Sequence, residues 1–453
     1  MSDLVDATRP AAYGTQPVRV RRGDAAIRWH DWYFATLLLA VAGYAIFGKG
    51  FAYAGLPPIF PAEVLLALGL LTFVWPRPSG AILSSPALVL VLAGIAWTLI
   101  RTVPYIGQYG IDAMRDAVIL VYGLFAIVVA NLILERPERI RDALGWATIF
   151  FSINALVVIP IYLLQTVLGE SMPRWPVSLT PILQVRGGEV AVHLCATAVF
   201  ALLAFKRSSV LWTIVLVVDI AFVASLSRGG LVSIAIPLAL AIVLSGRIRP
   251  FLLAGAVIAP LLALFYVGGL QIQLPGIQRT IDVGQIVDNV VSIAGSSGDK
   301  GLDDTKEWRI GWWQQIVDYT LFGEYFWTGK GFGINLAFDD GYAAPSLEGQ
   351  PLRSPHNGNM TILARAGVPG MVLWIAILAT WFSTLLWHVA KARLAGDRDW
   401  SNLFIFLTCY LLAAFINASF DVALEGPMIG VVFWVVFGAG IGSVMVYTRL
   451  ETR

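Results

Sequence analysis

Residues Gly426–Tyr447 read GPMIGVVFWVVFGAGIGSVMVY, 22 residues without a single charge. A helix needs about 20 mostly apolar residues to cross the hydrocarbon core of a bilayer, so this stretch reads as a membrane span. Moving toward the N-terminus, comparable runs lie near 402–420, 359–390, 251–270, 229–245 and 210–226. Others lie near 188–205, 143–168, 113–134, 81–100, 58–75 and 32–48. The 359–390 run has room for a short entry helix, with a break expected at Gly367, Pro369 and Gly370.

The chain is therefore expected to be an all-α integral membrane protein with about 12 transmembrane helices. Composition agrees. Of 453 residues, 58% are hydrophobic and 13% charged, against about 25% charged in an average soluble domain. A nucleic-acid binder, a disordered scaffold and a secreted disulfide protein are excluded. The two cysteines, Cys195 and Cys409, lie in apolar runs and offer neither a disulfide framework nor a zinc site. No small-residue cleavage site follows the arginine-rich opening, so the first span is expected to act as the targeting signal.

The distribution of Lys and Arg orients the spans. With the N-terminus inside, internal segments hold 18 of the 31 basic residues, and every internal loop is basic. Both termini are then cytoplasmic, with tails at 1–31 and 448–453. Spans one to nine occupy 32–270, an external loop occupies 271–358, and spans ten to twelve occupy 359–447. The polar part of that loop, 271–355, carries 11 acidic and six basic residues and is expected to hold short helices. A loop of this length in a compact chain usually has a function.

Within the loop, Asp304 and Glu307 suit the cap and third position of a helix start. Trp308, Trp312 and Ile316 share one face of that helix, and Arg309 and Trp313 form the next stripe. The plain reading is an interfacial anchor, because Trp favours membrane boundaries. Farther on, Pro355 favours a helix start and places His356 near its positive end, which disfavours imidazolium. A neutral imidazole is what a general base requires; a structural cap is the plainer alternative. His30 and His388 fall at cytoplasmic ends, and His193 lies in a span, where packing or a bond to a neighbouring helix is expected.

Ser227-Arg228-Gly229-Gly230 stands at an external span end, and Arg186-Gly187-Gly188 repeats its type. An arginine at a membrane boundary seeks water or an anion, and glycines let backbone N–H groups approach that anion. Arg115-Asp116 reads as an internal ion pair. Asp303-Asp304 and Asp339-Asp340 lack a histidine at metal-ligand spacing, and no metal or cofactor is expected.

Taken in order, Ser227-Arg228-Gly229, Arg309 to Trp313, Gly331-Phe332-Gly333, His356-Asn357 and Ala366-Gly367-Val368-Pro369-Gly370 resemble the O-antigen ligase and polymerase superfamily. The resemblance covers about 205–380. It implies an inverting, metal-independent glycosyltransferase in the bacterial inner membrane. The implied donor is an undecaprenyl-diphosphate-linked glycan, used at the periplasmic face. The implied acceptor is another glycan or lipid A-core. By motif, Arg228, Arg309 and His356 take the catalytic positions. Arg186, Asn357 and Arg353 join Arg228 and Arg309 as expected substrate contacts. The residue chemistry agrees: without a metal, arginines must stabilise a diphosphate leaving group, and Arg meets phosphate with paired donors. The competing readings are a flippase for lipid-linked sugars and a non-catalytic membrane subunit. A flippase should line a path with charges through several spans, whereas the charges here gather on the external side, with Asp219 the main exception.

Overall fold

The computed structural model describes residues 23–74, 80–205, 208–249, 300–343 and 352–452, with isolated positions between 252 and 284. Five helices lead the chain: α1 (Gly23–Phe47), α2 (Pro61–Leu71), α3 (Pro86–Tyr109), α4 (Ile111–Val121) and α5 (Gly123–Glu135). Four more follow: α6 (Glu138–Leu168), α7 (Gly187–Leu202), α8 (Val210–Leu226) and α9 (Arg228–Ser245). The last four are α10 (Lys300–Leu321), α11 (Gly358–Leu394), α12 (Arg398–Ala418) and α13 (Pro427–Glu451). No strand forms among the described residues.

Among the described residues, seven helices are long and apolar enough to cross a membrane. The expected fourth span is a bent pair instead, α4 and α5, meeting at 41° around Tyr122. Helices α2, α7 and α8 are apolar but shorter. The expected span at 251–270 lies mostly outside the described residues. The molecule is thus an all-α membrane protein, with seven or eight spans by length among the described residues.

Local sequence explains where helices begin. Pro61, Pro86 and Pro427 occupy first turns, where a missing N–H costs nothing. Ser209 caps α8 by accepting the Trp212 N–H at 3.2 Å. At the centre, α5 packs closely on α13. A Cβ at Gly438 would lie 2.4 Å from the Ala126 carbonyl oxygen, so only glycine permits this approach. Trp381 and Trp434 stay buried because their indole N–H groups donate to the carbonyls of Phe437 and Ile119.

Basic side chains tie loops together at one end of the bundle. Arg247 donates to the Leu202 carbonyl, Arg393 to the Leu244 and Ser245 carbonyls, and Lys391 pairs with Glu451. His30 meets Glu135 at the same end. His193 bridges α7 and α12 through the Tyr410 hydroxyl at 2.8 Å.

The segment between α9 and α11 has its own small core. Trp312 and Ile316 are fully buried against Leu336, Ala337, Leu363 and Ala364. Trp312 stacks on Tyr342 at 5.1 Å and donates its indole N–H to Asp340 at 2.6 Å. The tryptophan stripe therefore packs inward rather than anchoring in lipid. Helix α10 is already formed at Lys300, so Asp304 sits inside it and not at its cap.

The expected break in α11 is present. Gly367 takes φ 68° and ψ −171°, which separates an entry helix from the long span. Ahead of it, the carbonyls of Ala364, Arg365 and Ala366 are freed. They accept from the Lys330 N–H, the Gly331 N–H and the Trp97 indole at 2.7, 3.0 and 2.9 Å. Gly331 and Gly333, at φ 89° and 106°, run this strap against the rings of Tyr105 and Tyr109.

Candidate functional site

Three helices start at the end of the bundle away from the basic loops. Ser227 is extended and its hydroxyl accepts the Gly230 N–H at 3.1 Å, which makes Arg228 the first residue of α9. Arg186 occupies the cap position of α7. Asn357 caps α11, accepting the N–H groups of Asn359 and Met360 at 3.0 and 3.3 Å.

These starts surround one turn, Phe420-Asp421-Val422, which follows α12. Arg186 Nη1 lies 3.9 Å from Asp421 Oδ1. His356 Nδ1 lies 3.5 Å from the same oxygen. Arg309 Nη1 donates to the Phe420 carbonyl at 3.1 Å. Gly229 is pressed against the Phe420 side chain, and a Cβ there would stand 3.1 Å from Phe420 Cβ. Four sequence-selected residues, far apart in the chain, thus meet at one place.

Arg186 and Arg309 sit within reach of the Asp421 carboxylate, with Arg228 close enough to act on Arg309. Burial lowers the Arg309 pKa; Asp421 opposes the shift and Arg228 adds to it. Burial pushes Asp421 upward. The His356 hydrogen bond, the Arg186 charge and the Val422 N–H outweigh it and hold the carboxyl below its usual value.

His356 differs from the sequence expectation in one respect. It precedes the cap of α11 and has φ 52°, uncommon for a residue with a side chain. Its ring faces Asp421, with Nδ1 3.5 Å from Oδ1. Two contacts fix this conformation. The Trp313 indole donates to the Pro355 carbonyl at 2.8 Å. The Ser354 hydroxyl bonds Glu425, which also accepts from Thr361 at 2.7 Å.

Asn357 uses its side-chain oxygen on the helix start and is buried. Arg353 lies in a neighbouring ionic cluster. Its guanidinium meets Asp112 and Asp116 at 3.2 Å each and the Gly333 carbonyl at 2.9 Å. Asp116 also accepts from Arg365 at 2.9 Å and pairs with Arg115 at 3.2 Å, an internal pair as its sequence suggests. Burial raises the Glu425 pKa, opposed by Thr361, Arg365 and Ser354 and aided by Asp116. The sequence reading overlooked Asp421 and Glu425. Their signal was two carboxylates in the short external turn between the last two spans.

Among the described residues, no group of three or more His, Cys, Asp or Glu side chains is arranged to hold a metal ion. The arrangement can bind an anion of high charge and can take a proton beside it. It defines a multi-pass membrane protein with a guanidinium-lined site at one end of its bundle. Residues 213–375 match the family model described as O-antigen ligase. The matched stretch holds Arg228, Arg309, Arg353, His356 and Asn357. Arg186 and Asp421 lie outside it. A search of curated proteins gave no match.

Proposed function

We propose that this chain is a glycosyltransferase. It moves a glycan from undecaprenyl diphosphate to a glycan or lipid A-core acceptor, at the periplasmic face of a bacterial inner membrane. The observation that carries the reading is the convergence of Arg186, Arg309 and His356 on the Phe420–Asp421 turn, beside the first turn of α9. The positive-inside distribution of Lys and Arg supports the external side for this end.

In this mechanism the acceptor hydroxyl attacks the anomeric carbon from the face opposite the diphosphate. The bond to the diphosphate oxygen breaks, and the configuration inverts. Arg228 and Arg309 stabilise the charge that gathers on the leaving oxygens, with Arg186 as a further donor. Asp421 accepts from the Nδ1 side of His356, which leaves Nε2 to take the hydroxyl proton. A donor whose tail stays in the bilayer suits a site at the lipid–water boundary.

The test is purified protein with undecaprenyl-diphosphate-linked glycan and acceptor, in EDTA. Glycan transfer without added metal supports the reading; transfer that returns only with magnesium or manganese overturns the metal-independent form. Deleting the gene separates the two acceptor types. Loss of all glycan on lipid A-core indicates a ligase, and retention of a single repeat indicates a polymerase.

A further inference from the structure

At the opposite end of the bundle, α1 and α6 enclose a cleft of about 580 Å³. We propose that this cleft binds a zwitterionic phospholipid whose head pairs a phosphate with an ammonium, as in phosphatidylethanolamine. The inference does not rest on the glycosyl-transfer reading.

The cleft is built in two tiers. Phe34, Leu38, Trp146 and Ile149 line its apolar part. Trp146 and Ile149 are 48% and 56% exposed, so they present a surface to acyl chains rather than to the core. Trp29 and Trp32, both exposed, stand at the same end of α1 and suit the headgroup level.

The polar tier carries both signs. Arg136, Arg139 and Arg141 face Asp31 and Asp142 around the rim. Arg136 and Arg139 are braced by Asp31, and Arg139 also reaches Glu135 at 2.7 Å and the Leu132 carbonyl at 2.6 Å. The Arg139 side chain is 1% exposed. Its Nη2 lies 2.8 Å from Asp31 Oδ1, so this guanidinium is spent on holding the rim together.

Arg141 and Asp142 are exposed, and neither makes an ion pair or side-chain hydrogen bond among the described residues. A purely anionic head would meet two carboxylates along with the arginines. A phosphate beside an ammonium answers both signs: phosphate toward Arg141, ammonium toward Asp142. Gly145 keeps the cleft open, because a Cβ there would meet nothing within 4 Å.

The experiment is native mass spectrometry of the full chain in detergent, titrated with dioleoyl phosphatidylethanolamine or phosphatidylglycerol. One phosphatidylethanolamine should be retained in preference to phosphatidylglycerol. Arg141→Ala and Asp142→Ala should each weaken that retention about 10-fold, the effect of losing one charge-assisted hydrogen bond. Gly145→Leu should fill the cleft and abolish it. All three positions are exposed or open, so thermal midpoints should match wild type, and retention is read on every variant that remains folded. Equal retention of the two lipids, or retention unchanged in the folded variants, overturns the proposal.

Discussion

His356 Nδ1 faces Asp421 Oδ1 at 3.5 Å, across the gap between the end of the long external loop and the turn after α12. The pair joins residues 65 positions apart and leaves Nε2 on the opposite edge of the ring. Asp421→Asn keeps the shape and removes the charge. Turnover is expected to fall by about 10- to 100-fold, within the range for general-base effects. Donor binding should stay within a few-fold. Turnover equal to wild type would remove Asp421 from the mechanism.

The same carboxylate sets a pH dependence of stability. Its folded pKa is depressed, so the stabilisation is fully present above the free value of 3.8 and is lost as pH falls through the folded value. Below pH 3.8 the thermal midpoint of the wild type should therefore drop faster than that of Asp421→Asn. Parallel curves would show that the pairing contributes nothing to folding.

Arg228→Lys and Arg309→Lys preserve charge but lose the planar fork. Each should reduce turnover about 100-fold, the scale for removing one preorganised donor from a developing charge. For Arg309 the loss includes its bond to the Phe420 carbonyl. The measurement is initial rate against lipid-linked donor; full activity in both variants would refute the assignment.

Arg353 braces the loop rather than pointing free. Arg353→Ala removes contacts to Asp112, Asp116 and the Gly333 carbonyl. The expected cost is on the order of 1–2 kcal/mol after allowance for partial exposure, read as a lower thermal midpoint. Donor affinity should change little. An unchanged midpoint with lost donor binding would instead return Arg353 to the substrate contacts.

Gly331→Ala places a methyl 2.2 Å from the Tyr105 ring, at φ 89°. Destabilisation on the order of 1–3 kcal/mol is expected from the backbone conformation alone. Adding Tyr105→Ala should relieve the clash but not the strain, so thermal unfolding of the double variant should recover only in part.

The all-α membrane fold was legible because a charge-free run such as Gly426–Tyr447 has few other fates; the expected count of 12 spans is not matched by the seven or eight found among the described residues. The bend at Tyr122 was not, since 111–135 is apolar on both sides of it. Ser227-Arg228-Gly229, Arg309 and His356 drew notice in the sequence as polar groups at span ends, and the structure brings them together around the Phe420–Asp421 turn. Asp421 was missed because its partners come from helices distant in sequence, and a single aspartate after a span carries no spacing signal. Trp312 was misread for a physical reason. Tryptophan at four-residue spacing suits a lipid surface and a small core alike, and Tyr342 and Asp340, which decide between them, lie 28 to 30 residues on.

The kink at Gly367 has a mechanical consequence. The strap from Phe326 to Gly333 is stitched by backbone bonds to the broken turn of α11, and by Trp97 and Arg101 of α3 to the same region. Tension applied to the segment between α9 and α11 would pass through these bonds into α3 and α11 in parallel. The load is shared before it can reach the loop that carries His356.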